Sequence, residues 1–150
     1  MKITSLILIV VVTVACKSNT DNKTDDTLKT TKEMTFTENH EIKEISIRLK
    51  EGMIDFIEPG ESSYSESDVE KCMTLLTNYI LEIENTNSKK EAMTIVKRTV
   101  LALNELNENC EYELIETDQR EDIAEILILA GSLKGYNSKD EDITEDWREW

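Results

Sequence analysis

Histidine is almost absent from this chain, in which His40 is the only one. Triads with a histidine base, zinc sites of the His-rich kind and histidine proton shuttles therefore have no material, and His40 itself reads as a solvated residue near a helix start. There is no glycine-rich phosphate loop, no G-x-S-x-G elbow and no other cofactor-binding motif. Cations are scarce as well. Lys plus Arg number 17 against 32 Asp plus Glu, a formal net charge of −15. Nucleic acid is excluded as a partner on that ground, because binding phosphates needs clustered positive charge. An acidic balance serves solubility, or matches a basic protein partner or a cation. Four Gly, one Pro and two Phe are too few for the turns and aromatic content of an all-β chain, whereas Leu, Ile, Glu and Lys abound. At 150 residues the chain suits one folded domain.

What is present begins at the N-terminus. Met1-Lys2 is a short positive start, and Ile3 to Ala15 is an uncharged, mostly apolar run ending in small residues, the grammar of an export signal. A permanent span is the weaker reading, because crossing ~30 Å of hydrocarbon takes about twenty helical residues. Thr13-Val14-Ala15-Cys16 resembles the bacterial lipobox, in which a small residue precedes a cysteine whose thiol is diacylated before the signal is removed; Leu is usual where Thr13 stands. The resemblance implies lipid attachment at Cys16, with several acyl chains holding the protein to a membrane where one would be marginal. The alternative is an ordinary secretory signal or an uncleaved stub.

Lys17 to Met34 is rich in Ser, Thr, Asn, Asp and Lys, buries too little to offset the entropy of ordering, and reads as a disordered tether. Lys17 is unlike the Asp that follows the cysteine in lipoproteins retained at the inner membrane of Gram-negative bacteria. By that analogy the outer membrane of the cell envelope is favoured over the inner. The expected organisation is a signal over 1–15, a tether over 16–34 and a single acidic helical domain over 35–150.

From Thr35 onward, apolar segments are preceded by helix-start signatures in which Ser, Thr or Asp is followed three residues later by Glu: Thr35 with Glu38, Ser67 with Glu70, Ser88 with Glu91, Asp118 with Glu121. Apolar spacing then predicts helices over about Asn39–Ile57, Asp68–Glu84, Lys89–Asn107 and Gln119–Lys134. The first carries Ile42, Ile45, Leu49, Met53 and Phe56 on one stripe and stops before Pro59-Gly60. The short Asn85-Thr86-Asn87 connection makes the second and third an antiparallel hairpin. The fourth is apolar nearly all round and is expected at the centre, with Gly135 as its stop. Asp142 with Glu145 can start a last turn ending in Trp147-Arg148-Glu149-Trp150. The fold class is all-α, a small bundle of about four helices.

Cys72 and Cys110 are the thiols left beside Cys16, and an extracytoplasmic compartment permits a disulfide between them. The hairpin opposes it. Cys110 falls about nine residues, or ~13 Å of helix rise, beyond the position facing Cys72, and a bridge needs Cα atoms within ~7 Å. The run Asp140-Glu141-Asp142 with Thr144 and Asp146 invites a calcium reading, but Glu145 stands where the loop needs Gly. Both tryptophans lie in the last four residues and share a helix face. Trp147 is expected to pack on the bundle and Trp150 to be largely exposed. An exposed Trp147-Arg148-Trp150 patch would instead be a binding anchor. Glu111, Glu113, Glu116, Asp118, Glu121 and Asp122 cluster around the start of the fourth helix, where the dipole favours carboxylates, with Asp118 and Glu121 as candidate partner-binding residues.

Glu116-Thr117-Asp118-Gln119-Arg120-Glu121 and the ending Asp142 to Trp150 resemble a family of small, acidic bacterial proteins without an assigned activity, over roughly Ser67 to Trp150. The resemblance implies a compact helical module and no catalytic residue. The leading functional expectation is a lipid-anchored, non-enzymatic module that binds another protein, an inhibitor or immunity-like partner of something basic, with no small-molecule substrate evident. Two alternatives stand beside it: a metal-dependent enzyme using carboxylates such as Glu116, Asp118 and Glu121, and an envelope structural protein without a small ligand.

Overall fold

Apolar residues three and four apart build each helix of this protein, seen here in a computed structural model that describes residues 35–57 and 61–150. A short 3₁₀ turn, Phe36–Glu38, precedes α1 (His40–Asp55), α2 (Glu66–Glu84), α3 (Lys89–Asn109) and α4 (Thr117–Leu133). No strand occurs among the described residues, and the all-α bundle of four helices expected from the periodicity is the fold. The export signal, Cys16, the tether and the Pro59-Gly60 stop lie outside the described residues. None of the described helices is long and apolar enough to cross a membrane.

The stripes pack as their spacing dictates. Ile42, Ile45, Leu49 and Met53 of α1 meet Val69, Cys72, Leu76, Tyr79, Ile80 and Ile83 of α2, and Ala92, Ile95, Val96, Val100 and Leu103 of α3, in one core. Phe56 departs from the expected stripe, because α1 ends at Asp55 and Phe56, as its C-cap, is 61 % exposed. The hub is α2, which packs against each of the other three helices, and not α4 as expected. The apolar girdle of α4 is instead used up by α1, α2 and the folded-back C-terminal segment, whose Ile143 is buried in the same core. Inside it, the Tyr79 hydroxyl donates to the Leu127 carbonyl at 2.7 Å, tying α2 to α4. Burial pushes the Tyr79 pKa up.

Helix starts follow local hydrogen bonding more than the three-residue pattern alone. Ser88 caps α3 as expected, its side chain accepting from the Glu91 N–H at 3.2 Å. At α2 the cap is Ser65, two residues ahead of the expected Ser67, since Asp68 accepts from the Ser65 N–H at 3.0 Å and its hydroxyl at 2.7 Å. The Asp68 carboxyl is held below its usual range by the Lys71 ammonium and by Ser65. Asn39, not Thr35, caps α1. The N-cap of α4 is Glu116, with Asp118 inside the first turn.

Between α3 and α4 the chain reverses through Glu111 and Tyr112, both with positive φ. Asn107 at the end of α3 stabilises this turn: its carbonyl accepts from the Tyr112 N–H at 2.8 Å and its side chain from the Ile115 N–H at 2.9 Å. This reversal buries Cys110 beside the start of α2, where its carbonyl accepts from the Ser63 hydroxyl. Cys72 and Cys110 are free thiols, so the candidate disulfide is not formed. Burial, with a smaller contribution from Cys110, pushes the Cys72 thiol up to about 12, and burial raises that of Cys110 as well.

Candidate functional site

After α4 the chain turns back through Gly135, whose φ of +72° places it in the left-handed region that favours glycine. The Tyr136 N–H closes the turn on the Gly131 carbonyl at 3.0 Å. Asp142 then organises the final segment. Its carboxylate accepts from the Thr144 N–H at 2.8 Å and the Thr144 hydroxyl at 2.7 Å, and meets Arg148 at 3.0 Å. Burial acts to raise the Asp142 pKa, but the two Thr144 hydrogen bonds and the Arg148 charge outweigh it and hold the carboxyl below its usual range. A single helical turn follows, with the N–H groups of Trp147 and Arg148 on the Thr144 carbonyl.

That turn divides the two tryptophans. Trp147 faces α3, with the Lys97 ammonium 6.0 Å from its ring. Trp150 swings to the opposite side under the Arg148 guanidinium, 5.9 Å from its ring centroid. Both are half-buried against the core. The expectation that Trp150 is largely exposed is therefore overturned: hydrogen bonds from α3 hold the terminal backbone, and Arg148 covers the ring.

The result is a cavity of about 530 Å³ between α1, α4 and the C-terminal segment. Ala124, Ile128 and Leu129 of α4 give it an apolar floor, with Arg120 at the head of the same helical stripe. Trp150 and Arg148 form one wall, and Lys139, paired with Glu41 of α1 at 2.8 Å, closes the rim. Glu121 and Glu125 complete it, and Arg48 reaches Glu125 at 3.4 Å. The Trp150 Nε1–H is buried and has no acceptor among the described residues.

Glu121, Arg148 and Trp150, three of the residues singled out in the sequence, are thus brought together. Trp147 is not, because it packs on α3. Asp118 is not either: it lines two neighbouring hollows of about 410 and 470 Å³ around Phe56 and Gln119. Glu116 borders the first of these and Glu121 the second, so none of these three cavities is lined by Glu116, Asp118 and Glu121 together. No group of three His, Cys, Asp or Glu placed to hold a metal ion occurs among the described residues. His40 is exposed and lies 3.2 Å from Glu44. Asp122 of the acidic cluster is bound from Arg48 Nε at 3.0 and 3.2 Å, a pairing that also raises the Arg48 pKa. Arg120 and Lys139 were not singled out in the sequence, although Arg120 is the only cation of α4 and sits one helical turn before Ala124.

No family model, curated protein or solved structure matches this chain.

Proposed function

We propose that the chain is a lipoprotein anchored through Cys16 to a bacterial envelope membrane, the outer one favoured, whose acidic helical body binds another protein. The observation that carries the binding reading is the convergence of Glu121, Arg148 and Trp150 on one cavity. An aromatic ring with an arginine over its face, beside an apolar floor, is the composition of an interface anchor. The net charge of −15 suits a partner with a basic face, steered in by long-range attraction. The lipobox-like Thr13-Val14-Ala15-Cys16 supports the anchor, and the two segments similar to small acidic bacterial proteins support a compact module of that kind.

Affinity capture from envelope extract tests the binding reading when wild type is compared with Arg148→Ala and Trp150→Ala. A protein retained by wild type and lost from both variants is the expected result; identical profiles from all three would sink it. Labelled palmitate tests the anchor: incorporation should disappear in Cys16→Ser.

A further inference from the structure

Carboxylates outnumber cations almost two to one in this chain, so an arginine without a carboxylate partner is unexpected. Arg48, Arg98 and Arg148 pair with Asp122, Glu82 and Asp142. Arg120, half-buried on the cavity wall, has no ion pair or side-chain hydrogen bond among the described residues. Trp150 lines the same cavity, and its buried Nε1–H has no acceptor among the described residues. A buried donor left unpaired is costly, and a guanidinium offers a planar fork of donors suited to a carboxylate. Of the three acidic residues on the rim, Glu41 is engaged by Lys139 and Glu125 by Arg48, while Glu121 has no ion pair among the described residues. The floor of the cavity is apolar, formed by Ala124, Ile128 and Leu129.

We infer that this cavity binds a carboxylate carried on an apolar stem, with Arg120 and the Trp150 indole N–H on the carboxylate and the stem along α4. The inference rests on the reading of this cavity as the binding site and names what it recognises. The chemistry is shared by the C-terminal end of a protein chain closing on apolar residues and by a free acyl acid. A basic partner drawn in by the acidic surface would present its chain end here.

The test uses the full chain carrying Cys16→Ser, with the two indole N–H resonances assigned by Trp147→Phe. Probes are acetyl-Leu-Leu with a free carboxylate, the same dipeptide as its C-terminal amide, octanoate and octanol. The two carboxylates should move the Trp150 indole resonance downfield in a saturable way, and the amide and the alcohol should not. Tighter binding of the dipeptide assigns the site to a chain end, and tighter binding of octanoate to an acyl acid. Arg120→Gln should weaken carboxylate binding about tenfold or more with the melting temperature unchanged. Calorimetry on Trp150→Phe, which keeps an aromatic ring, smaller than the indole, and removes the N–H, should show a loss of several-fold. Glu121→Gln should tighten binding, since it removes the one carboxylate of the rim without an ion pair among the described residues.

The inference is overturned if the amide or octanol binds as well as its acid, if Arg120→Gln binds normally, if Glu121→Gln weakens binding, or if neither carboxylate shifts Trp150 up to about 10 mM. Failure here, together with loss of envelope capture in Trp150→Ala, would leave the protein-binding reading standing and remove only the carboxylate.

Discussion

The side chain of Asn104, in α3, grips the backbone on both sides of Arg148: its Nδ2 donates to the Trp147 carbonyl at 2.8 Å and its Oδ1 accepts from the Glu149 N–H at 3.2 Å. One amide thus satisfies a donor and an acceptor in a segment that has only one helical turn of its own, and Asn104 is buried while doing so. Termini fray unless something holds them. This clamp fixes the terminal turn, and with it the wall of the cavity.

Asn104→Ala should accordingly release the ending. Two hydrogen bonds are lost and the half-buried tryptophans lose their backing, for a destabilisation of about 1 to 3 kcal/mol by denaturant titration. The emission of Trp147 and Trp150 should shift to the red before global unfolding. An unchanged midpoint and unchanged emission would show that the apolar contacts of Ile143 and the two rings suffice alone.

Acid should act on the same segment through Asp142. Its folded pKa is depressed, so the stabilisation it gives is present above the unfolded carboxylate value, near 4, and is lost as pH falls through the folded value. The C-terminal turn is expected to loosen in that window, read as a red shift of tryptophan emission below about pH 4. Asp142→Asn should show the loosened emission already at neutral pH and flatten the acid response. A variant with the wild-type pH profile would remove Asp142 from this role.

The first three helices were legible because each buries one face, and burial of one face writes a 3.6-residue period into the sequence, while α4, buried on most sides, was legible as a long apolar run after a helix-start signature. Their starts were less so. Ser65 with Asp68 and Ser67 with Glu70 overlap as candidate caps, and only the hydrogen bonds of the folded chain choose between them. Trp150 was misjudged because its burial depends on Asn104, far away in sequence, and no local pattern encodes that. Arg120 was overlooked for a similar reason: its significance lies in having no ion pair among the described residues, a property that exists only once the other arginines have found their partners.

Gly131 faces the chain just beyond the C-terminus of α4. A Cβ added there would stand 2.2 Å from Asn137 Oδ1 and 3.3 Å from Ile143 Cδ1. In a helix interior Ala is intrinsically better than Gly by about 1 kcal/mol. Here the clash wins, because Asn137 is a short side chain already committed through its Nδ2 to the Ile128 carbonyl at 3.0 Å and cannot swing away without breaking that bond. Gly131→Ala should therefore cost on the order of 1 to 3 kcal/mol. A melting temperature above wild type would mean that Asn137 moves freely.

Cys72 tests the packing at the hub of the bundle. It is fully buried on α2, and its thiol is pushed up to about 12 by that burial, so at pH 8 almost none is thiolate, the form that reacts. Cys110 is 2 % exposed and shifted in the same direction. The two differ in what must open to reach them. Both belong to the same core, but Cys110 is the C-cap of α3, its carbonyl accepting from the Ser63 hydroxyl, whereas Cys72 stands within α2. With Cys16→Ser removing the third thiol, maleimide labelling of the native chain should be slow at both sites. Cys110 should be labelled first, through local opening, and Cys72 only at the rate or population of global unfolding. Denaturant should then accelerate Cys72 far more steeply than Cys110, because a larger surface is exposed when it opens. Labelling of Cys72 as fast as that of Cys110 and with the same shallow denaturant dependence would show that α2 detaches locally, and that it does not anchor the other three helices.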